Sequence, residues 1–267
     1  MIDAVAQSAQ PRIDLVLCMA GIYRRFREAG YATPKFLLPW RGRTVLDHIL
    51  AKLLSGGAFN RVILVANRRD QDHHEAVAAC LAGVGCPIGG LTWVGDTRGQ
   101  AETASLGLDH RDRLGGHDGP VAFHNIDTIL QGRDWGQVAR RLAEDEGGLD
   151  GWIDVFPARS PAFSYVDLGA DGLVREIAEK RVISSHATTG FYAFASGRIY
   201  REAAAKAQVA GSEFYISDVY RAMLMAGQRI GAGNGGGSAS TLILGTPAEY
   251  ETALAAHGGG GSTTGSP

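Results

Sequence analysis

Three groups of side chains in this chain of 267 residues have the types and spacing to handle phosphate. The first is Met19-Ala20-Gly21-Ile22-Tyr23-Arg24-Arg25-Phe26, followed by Thr33-Pro34-Lys35. Gly21 lets the backbone turn sharply and brings its N–H groups close to phosphate oxygens. Arg25 can fork onto a polyphosphate, Lys35 is a point charge, and Pro34 stiffens the approach of that lysine. The second group is Val121-Ala122-Phe123-His124-Asn125-Ile126-Asp127, an apolar strand ending in a lone carboxylate suited to holding Mg²⁺ against phosphates. The third is Glu179-Lys180. There a carboxylate can accept bonds from hydroxyls and an ammonium can hold a phosphate, while Gly190 and Phe191, just behind, can offer backbone contacts. Together these groups predict chemistry at a nucleotide phosphorus.

Taken singly, each has a plainer reading. Arg24, Arg25 and Lys35 read as solvated surface cations, Asp127 as the cap of a turn, and Glu179-Lys180 as a solvated pair. Thr97-Arg98-Gly99-Gln100 opens a helix whose N–H groups and Gln100 amide suit a nucleobase or an anion, or serve as an ordinary first turn. His124 alternates with apolar neighbours and reads as a core group.

Positioning these residues requires strands that end where the loops collect. Ile13–Cys18, Arg61–Ala66, Leu91–Val94 and Val121–Phe123 read as buried strands. Between them lie helical patterns at Thr44–Leu54, Gln71–Leu81 and Gln100–Asp109, with Trp135–Glu144 following. Thr44 and Asp47 form a capping-box signature. Repeated βαβ units predict an α/β fold with a mainly parallel sheet covered by helices on both faces. Beyond Asp150 the pattern turns α+β. Trp152–Ala158, Phe163–Leu168, Leu173–Ala178, Thr189–Phe194 and Thr241–Leu244 read as strands, and Ile199–Val209, Ile216–Met225 and Pro247–Ala256 as helices. Residues 1–257 are expected to form a single domain, with 13–150 as a nucleotide-binding half and 151–257 as an acceptor-binding half. Gly231–Ser240 and Gly258–Pro267 are expected to be flexible, as a loop and a tail.

Composition narrows the function class. A net charge of −2 and a pI of about 6.4 point away from nucleic-acid and acidic-membrane partners. Cys18, Cys80 and Cys86 are odd in number and lack metal-ligand spacing, which predicts a reducing cytoplasm. The first ten residues lack the charge and apolar run of a signal peptide. No apolar run approaches the roughly 18 residues that span a bilayer.

The succession MAG-x-x-x-RF, AGY-x-TPK, GQAET, NID, I-x-EK-x-x-IS, ATTGFYAF, EFYISDVY and LGTP resembles the sugar-1-phosphate nucleotidyltransferases, also called nucleotide-sugar pyrophosphorylases, from about Ile13 to His257. The resemblance implies a Rossmann-like nucleotidyltransferase fold. It implies a reaction of an NTP with a small phosphorylated acceptor to give an NDP-linked product and pyrophosphate. It further implies that Ala20, Gly21, Arg25, Lys35 and Gln100 bind the nucleotide and that Asp127 binds Mg²⁺. Glu179, Lys180, Gly190, Glu213 and Tyr215 would then face the acceptor, and Arg25, Lys35, Asp127 and Lys180 would be catalytic. The chain departs from the pattern in three places. Tyr23 stands where the phosphate loop has its second glycine, and since tyrosine resists positive φ, a differently shaped loop is expected. Ile243 stands where an aspartate commonly supplies a second metal ligand, which leaves Asp218 as a substitute. Glu179-Lys180 is followed by Arg181 instead of proline. Two competing readings are a metal-dependent glycosyltransferase, which typically wants D-x-D where this chain has Asn125-Ile126-Asp127, and a nucleotide-binding regulatory homologue without activity.

Overall fold

The computed structural model describes residues 10–116, 118–144, 146–209, 211–233 and 239–258. The strands are β1 (Ile13–Met19), β2 (Pro39–Trp40), β3 (Arg43–Thr44), β4 (Phe59–Asn67), β5 (Ile88–Val94), β6 (Val121–His124), β7 (Thr128–Gln131), β8 (Gly151–Pro157), β9 (Tyr165–Leu168), β10 (Val174–Ala178), β11 (His186–Phe194), β12 (Ile230–Gly233) and β13 (Ser240–Ile243). The α-helices are α1 (Arg24–Glu28), α2 (Val45–Leu54), α3 (His74–Ala82), α4 (Gln100–Arg113), α5 (Trp135–Ala143), α6 (Gly197–Lys206), α7 (Ile216–Met225) and α8 (Pro247–Gly258).

A nine-stranded sheet in the order β10-β9-β11-β6-β1-β4-β5 forms the centre, with β8 joined to β11 and β12 to β8. β1 runs parallel to β4 and β6, and β4 parallel to β5. β11 runs antiparallel to β6, β8 and β9, so the mainly parallel first half continues into a mixed sheet. Strand alternation divides the core. Ile13, Leu15, Leu17 and Met19 of β1 join the cluster beneath α2 and α5, while Val16 and Cys18 join the cluster beneath α4, α6 and α7. α2 forms because Val45, Leu46, Ile49, Leu50 and Leu53 recur at helical spacing and are all buried. Its Thr44–Asp47 capping box is present as predicted. Each such aliphatic side chain withdrawn from water stabilises the fold by roughly 1.5–3 kcal/mol.

Some local expectations fail. The helix expected from Gln71 begins instead as a 3₁₀ turn over Arg68–His73 before α3. Of the loop expected over Gly231–Ser240, Gly231–Gly233 are strand β12, paired with Trp152–Asp154, and Ser240 opens β13. The glycines are there for packing, since a Cβ on Gly233 would lie 3.0 Å from the Trp152 ring. Residues 234–238, and the tail from residue 259, lie outside the described residues. β7, which the sequence reading passed over, pairs with β13 and carries the C-terminal segment to the end of β6.

Candidate active site

β1 and β6 are parallel neighbours, so the loops leaving their carboxyl ends emerge side by side, where open α/β sheets collect ligands. The β1 loop delivers Arg25 and Lys35, and the β6 loop delivers Asp127. Lys35 Nζ lies 2.6 Å from Asp127 Oδ2. Burial pushes the Asp127 carboxyl up, but the charge and hydrogen bond of Lys35 outweigh it and hold the group below its ordinary range. Asp127 lines a cleft of about 250 Å³ together with Arg25, Gln100, Asn125, Glu179, Gly190 and Tyr215. The Arg25 guanidinium has no hydrogen-bond or ion-pair partner among the described residues.

Ala20 is buried, and its carbonyl accepts a bond from Asn67 Nδ2 at 3.1 Å, which anchors the start of the phosphate-type loop. Gly21 is exposed, with open space where a side chain would be. Tyr23 overturns its expectation. It does adopt the left-handed conformation, at φ 33° and ψ 50°, at a cost of about 1–2 kcal/mol. Its hydroxyl donates to Asp70, and the Arg27 guanidinium stacks 4.9 Å from its ring centroid.

Gln100 Nε2 donates to the carbonyl of Gly190 at 3.3 Å. The expected run of free N–H groups at the start of α4 is partly spent, because Ala101 N–H donates to the Phe214 carbonyl at 3.2 Å. Gly190 sits where β11 exchanges one neighbour for another. Its first residues pair with β9, its last with β6, and the register against β8 shifts between them. The backbone there has φ 88°, and a Cβ would lie 2.0 Å from Asn125 Nδ2, so glycine is required on both counts.

In the second half of the chain, Glu179 Oε2 accepts bonds from the hydroxyls of Ser164 and Ser217, the latter at 2.8 Å. Lys180 is exposed and donates to Tyr215 Oη at 2.6 Å, and that hydroxyl donates in turn to Glu213. The Tyr215 bond raises the Lys180 ammonium above its usual value. Glu213 does not line the cleft. It lies on an adjoining cavity of about 1020 Å³ that shares Glu179 and Tyr215 with the cleft. The smaller cleft is lined by Asp127 and Arg25; Lys35 is not part of its lining and meets it through its bond to Asp127, and Lys180 lines neither space.

Asp218, the substitute for the aspartate missing at Ile243, is elsewhere. It accepts from Tyr215 N at 3.1 Å, pairs with Arg221 at 3.0 Å and caps α7. The carboxylate near Asp127 is Glu249, which sequence reasoning missed. A Cβ on Gly245 would lie 3.3 Å from Asp127 Oδ2 and 3.5 Å from Glu249 Oε2, so the two acids face each other across a glycine without a side chain. Glu249 also bonds the Thr246 hydroxyl at 2.9 Å as the partner of a helix cap. Ser164 was missed as well, for want of any motif, while Asn125 and Ser217 lie inside the NID and EFYISDVY runs without having been singled out. His124 is a core group, as expected. It is fully buried, its Nε2 lies 2.9 Å from the Thr128 carbonyl, and burial lowers its pKa to about 4.

No family model matches the chain. It is 30% identical to the bifunctional protein GlmU of Streptomyces avermitilis over 82% of its own length, and it spans 45% of that relative's length. Its fold matches a nucleoside-diphosphate-sugar pyrophosphorylase from Vibrio cholerae with a TM-score of 0.78 and 25% identity, covering 90% of this chain and 99% of that one. An inositol-1-phosphate CTP transferase from T. maritima shares the fold at a TM-score of 0.68 and 17% identity, covering 96% and 99% of the two chains. Likeness along almost the whole chain gives it the fold of the nucleotide-sugar pyrophosphorylases, in a sheet whose adjoining strand ends bring Lys35 and Asp127 together, in keeping with its resemblance to the sugar-1-phosphate nucleotidyltransferases.

Proposed function

We propose that the chain transfers a nucleotidyl group from an NTP to a small phosphorylated acceptor, a sugar 1-phosphate or a related phosphate, with release of pyrophosphate. The observation that carries this reading is the meeting of Lys35 with Asp127, the latter lining a cleft with Arg25 and Gln100 that Glu179 and Tyr215 close from the other half. Residues 13–150 serve the nucleotide and 151–257 the acceptor. Ala20 and Gly21 carry the loop under the triphosphate. Arg25 and Lys35 neutralise the leaving pyrophosphate, and Gln100, braced on Gly190, reads the base. Lys180, held by Tyr215 and Glu213, takes the attacking phosphate, while Glu179 accepts from acceptor hydroxyls.

The step needs no strong base. A phosphate monoester is largely dianionic at neutral pH, its second pKa being about 6. Its oxygen forms the new bond to the α-phosphorus as the bond to the bridging oxygen of pyrophosphate breaks. The protein aligns the reactants and balances charge, and one such cation is worth roughly 3 kcal/mol of transition-state stabilisation. The residues fit a magnesium ion. Asp127 is ionised, Glu249 faces it, and Mg²⁺ is commonly held by one or two carboxylates with phosphate and water filling the remaining positions. When bound there, the ion would supply charge neutralisation at the phosphates. No larger set of His, Cys, Asp or Glu able to hold a metal occurs among the described residues, which disfavours a zinc-type site. The three cysteines are free, which suits a reducing cytoplasm. The substrates are small molecules, with no nucleic acid and no membrane in the reaction, and no described helix is long and apolar enough to cross a membrane.

A glycosyltransferase reading is weaker, because Asn125, at the first position of a D-x-D, turns its amide to the Thr189 carbonyl at 3.4 Å. The test is a pyrophosphate-release screen of UTP, CTP, GTP and dTTP against hexose, heptose, amino-sugar and non-sugar phosphates. Release with one pair supports the reading. Silence across the panel, or NDP release from a nucleotide sugar alone, overturns it.

A further inference from the structure

Tyr23 is the one bulky side chain of the β1 loop held in a left-handed conformation, and it stands at the first turn of α1. Its carbonyl accepts the Phe26 and Arg27 N–H groups at 3.0 and 3.3 Å, so its backbone angles set the direction in which α1 departs. Arg25, two residues on, owes its place in the cleft to that direction. Asp70 holds the conformation. It is only 2% exposed, sits in the 3₁₀ turn after β4, accepts the Tyr23 hydroxyl at Oδ1, and has no partner at Oδ2. Arg27 closes the assembly from outside, 3.6 Å from Asp70 and stacked on the tyrosine ring. The neighbouring Asn67 fixes the Ala20 carbonyl, so both ends of the loop are tied to the end of β4.

We infer that Tyr23 is a positioning residue for the nucleotide's phosphates: its hydroxyl bond to Asp70 fixes the left-handed turn that aims Arg25 into the cleft. A glycine reaches that conformation without help, whereas a tyrosine needs the bond. This inference rests on the nucleotidyltransferase reading. It predicts an order of effects that a merely packing tyrosine would not give. In Tyr23→Phe the ring stays, the hydroxyl goes, and the backbone relaxes toward negative φ, carrying Arg25 away. In Tyr23→Gly the side chain is lost, but the left-handed turn is allowed.

The experiment is calorimetric titration of the full chain with UTP, CTP, GTP and dTTP in the presence of magnesium, followed by KM and kcat for the NTP and the acceptor that support turnover. Tyr23→Phe is expected to weaken the tightest NTP roughly tenfold, about 1.4 kcal/mol. The acceptor KM should be unchanged, and some thermal stability should be lost because the buried Asp70 carboxyl loses its hydroxyl donor. Tyr23→Gly should bind that NTP more tightly than Tyr23→Phe does. Wild-type NTP affinity in Tyr23→Phe, an equal rise in both KM values, or weaker binding by Tyr23→Gly than by Tyr23→Phe overturns the inference alone. A wild-type chain that binds none of the four NTPs overturns the nucleotidyltransferase reading, and this inference with it.

Discussion

Lys35 Nζ lies 2.6 Å from Asp127 Oδ2, although 92 residues separate the two in the chain. Both side chains are mostly shielded, at 16% and 20% exposure, and Asp127 lines the cleft, so the pair is poised between structure and chemistry. Lys35→Ala and Asp127→Ala are each expected to lower kcat roughly 10²-fold with the melting temperature within a few degrees of wild type. Turnover and thermal scans on both variants check this, and full turnover in either one removes that residue from the mechanism. The pair also sets an acid limit. Because the folded Asp127 carboxyl is held below its ordinary value, its stabilisation is fully present above the usual carboxylate range and is lost as pH falls through the lowered value.

Glu249 makes a separate claim. If it shares the metal with Asp127, Glu249→Gln should raise the magnesium concentration for half-maximal turnover by roughly tenfold and weaken Mn²⁺ binding measured by electron paramagnetic resonance. Adding Ile243→Asp to that variant should recover part of the loss, since position 243 also lines the cleft. An unaltered metal requirement in Glu249→Gln would leave Glu249 as a helix cap and nothing more.

His124 gives the fold a titration with a definite sign. Folded, it has a pKa of about 4, against 6.5 for the free side chain. Between those values the unfolded chain binds more protons, so stability is full above about 6.5 and drains as pH falls toward 4, by on the order of 3 kcal/mol. His124→Gln keeps a donor for the Thr128 carbonyl but does not titrate. Urea denaturation from pH 4 to 7 should show a flatter profile for that variant, and identical slopes would contradict the assignment.

Gly190→Ala strikes the point where β11 changes neighbours. Positive φ and a Cβ 2.0 Å from the Asn125 amide together should lower stability by about 1–3 kcal/mol. Because Gln100 is braced on the Gly190 carbonyl, the NTP KM should rise as well. Chemical denaturation and steady-state kinetics on the variant provide the check. A variant with wild-type stability and KM would show that the turn tolerates a side chain.

The sequence carried those parts of the fold that local chemistry announces. Hydrophobic periodicity marks α2 and its Thr44–Asp47 cap, β1, β4 and β6, and the loops at strand ends point to Lys35 and Asp127. What it concealed depends on contacts far apart in the chain. β12 looked like a flexible linker because its glycines are explained only by the Trp152 ring beneath them. Tyr23 looked incompatible with a left-handed turn because its partner, Asp70, lies 47 residues away. Glu249 drew no notice because its neighbour across Gly245 belongs to a different strand end.

Strands β8 to β12 make up five of the nine in the central sheet, and β11 is hydrogen-bonded directly to β6. The described strands of the two halves are thus joined in a single sheet. A chimera grafting residues 151–258 of a relative onto this chain would have to rebuild the β6–β11 border, Gly190 and Asn125 included, before it could accept a new substrate. Alteration of acceptor choice in this architecture is therefore a matter for side chains and loops around an intact sheet, not for exchange of interchangeable parts.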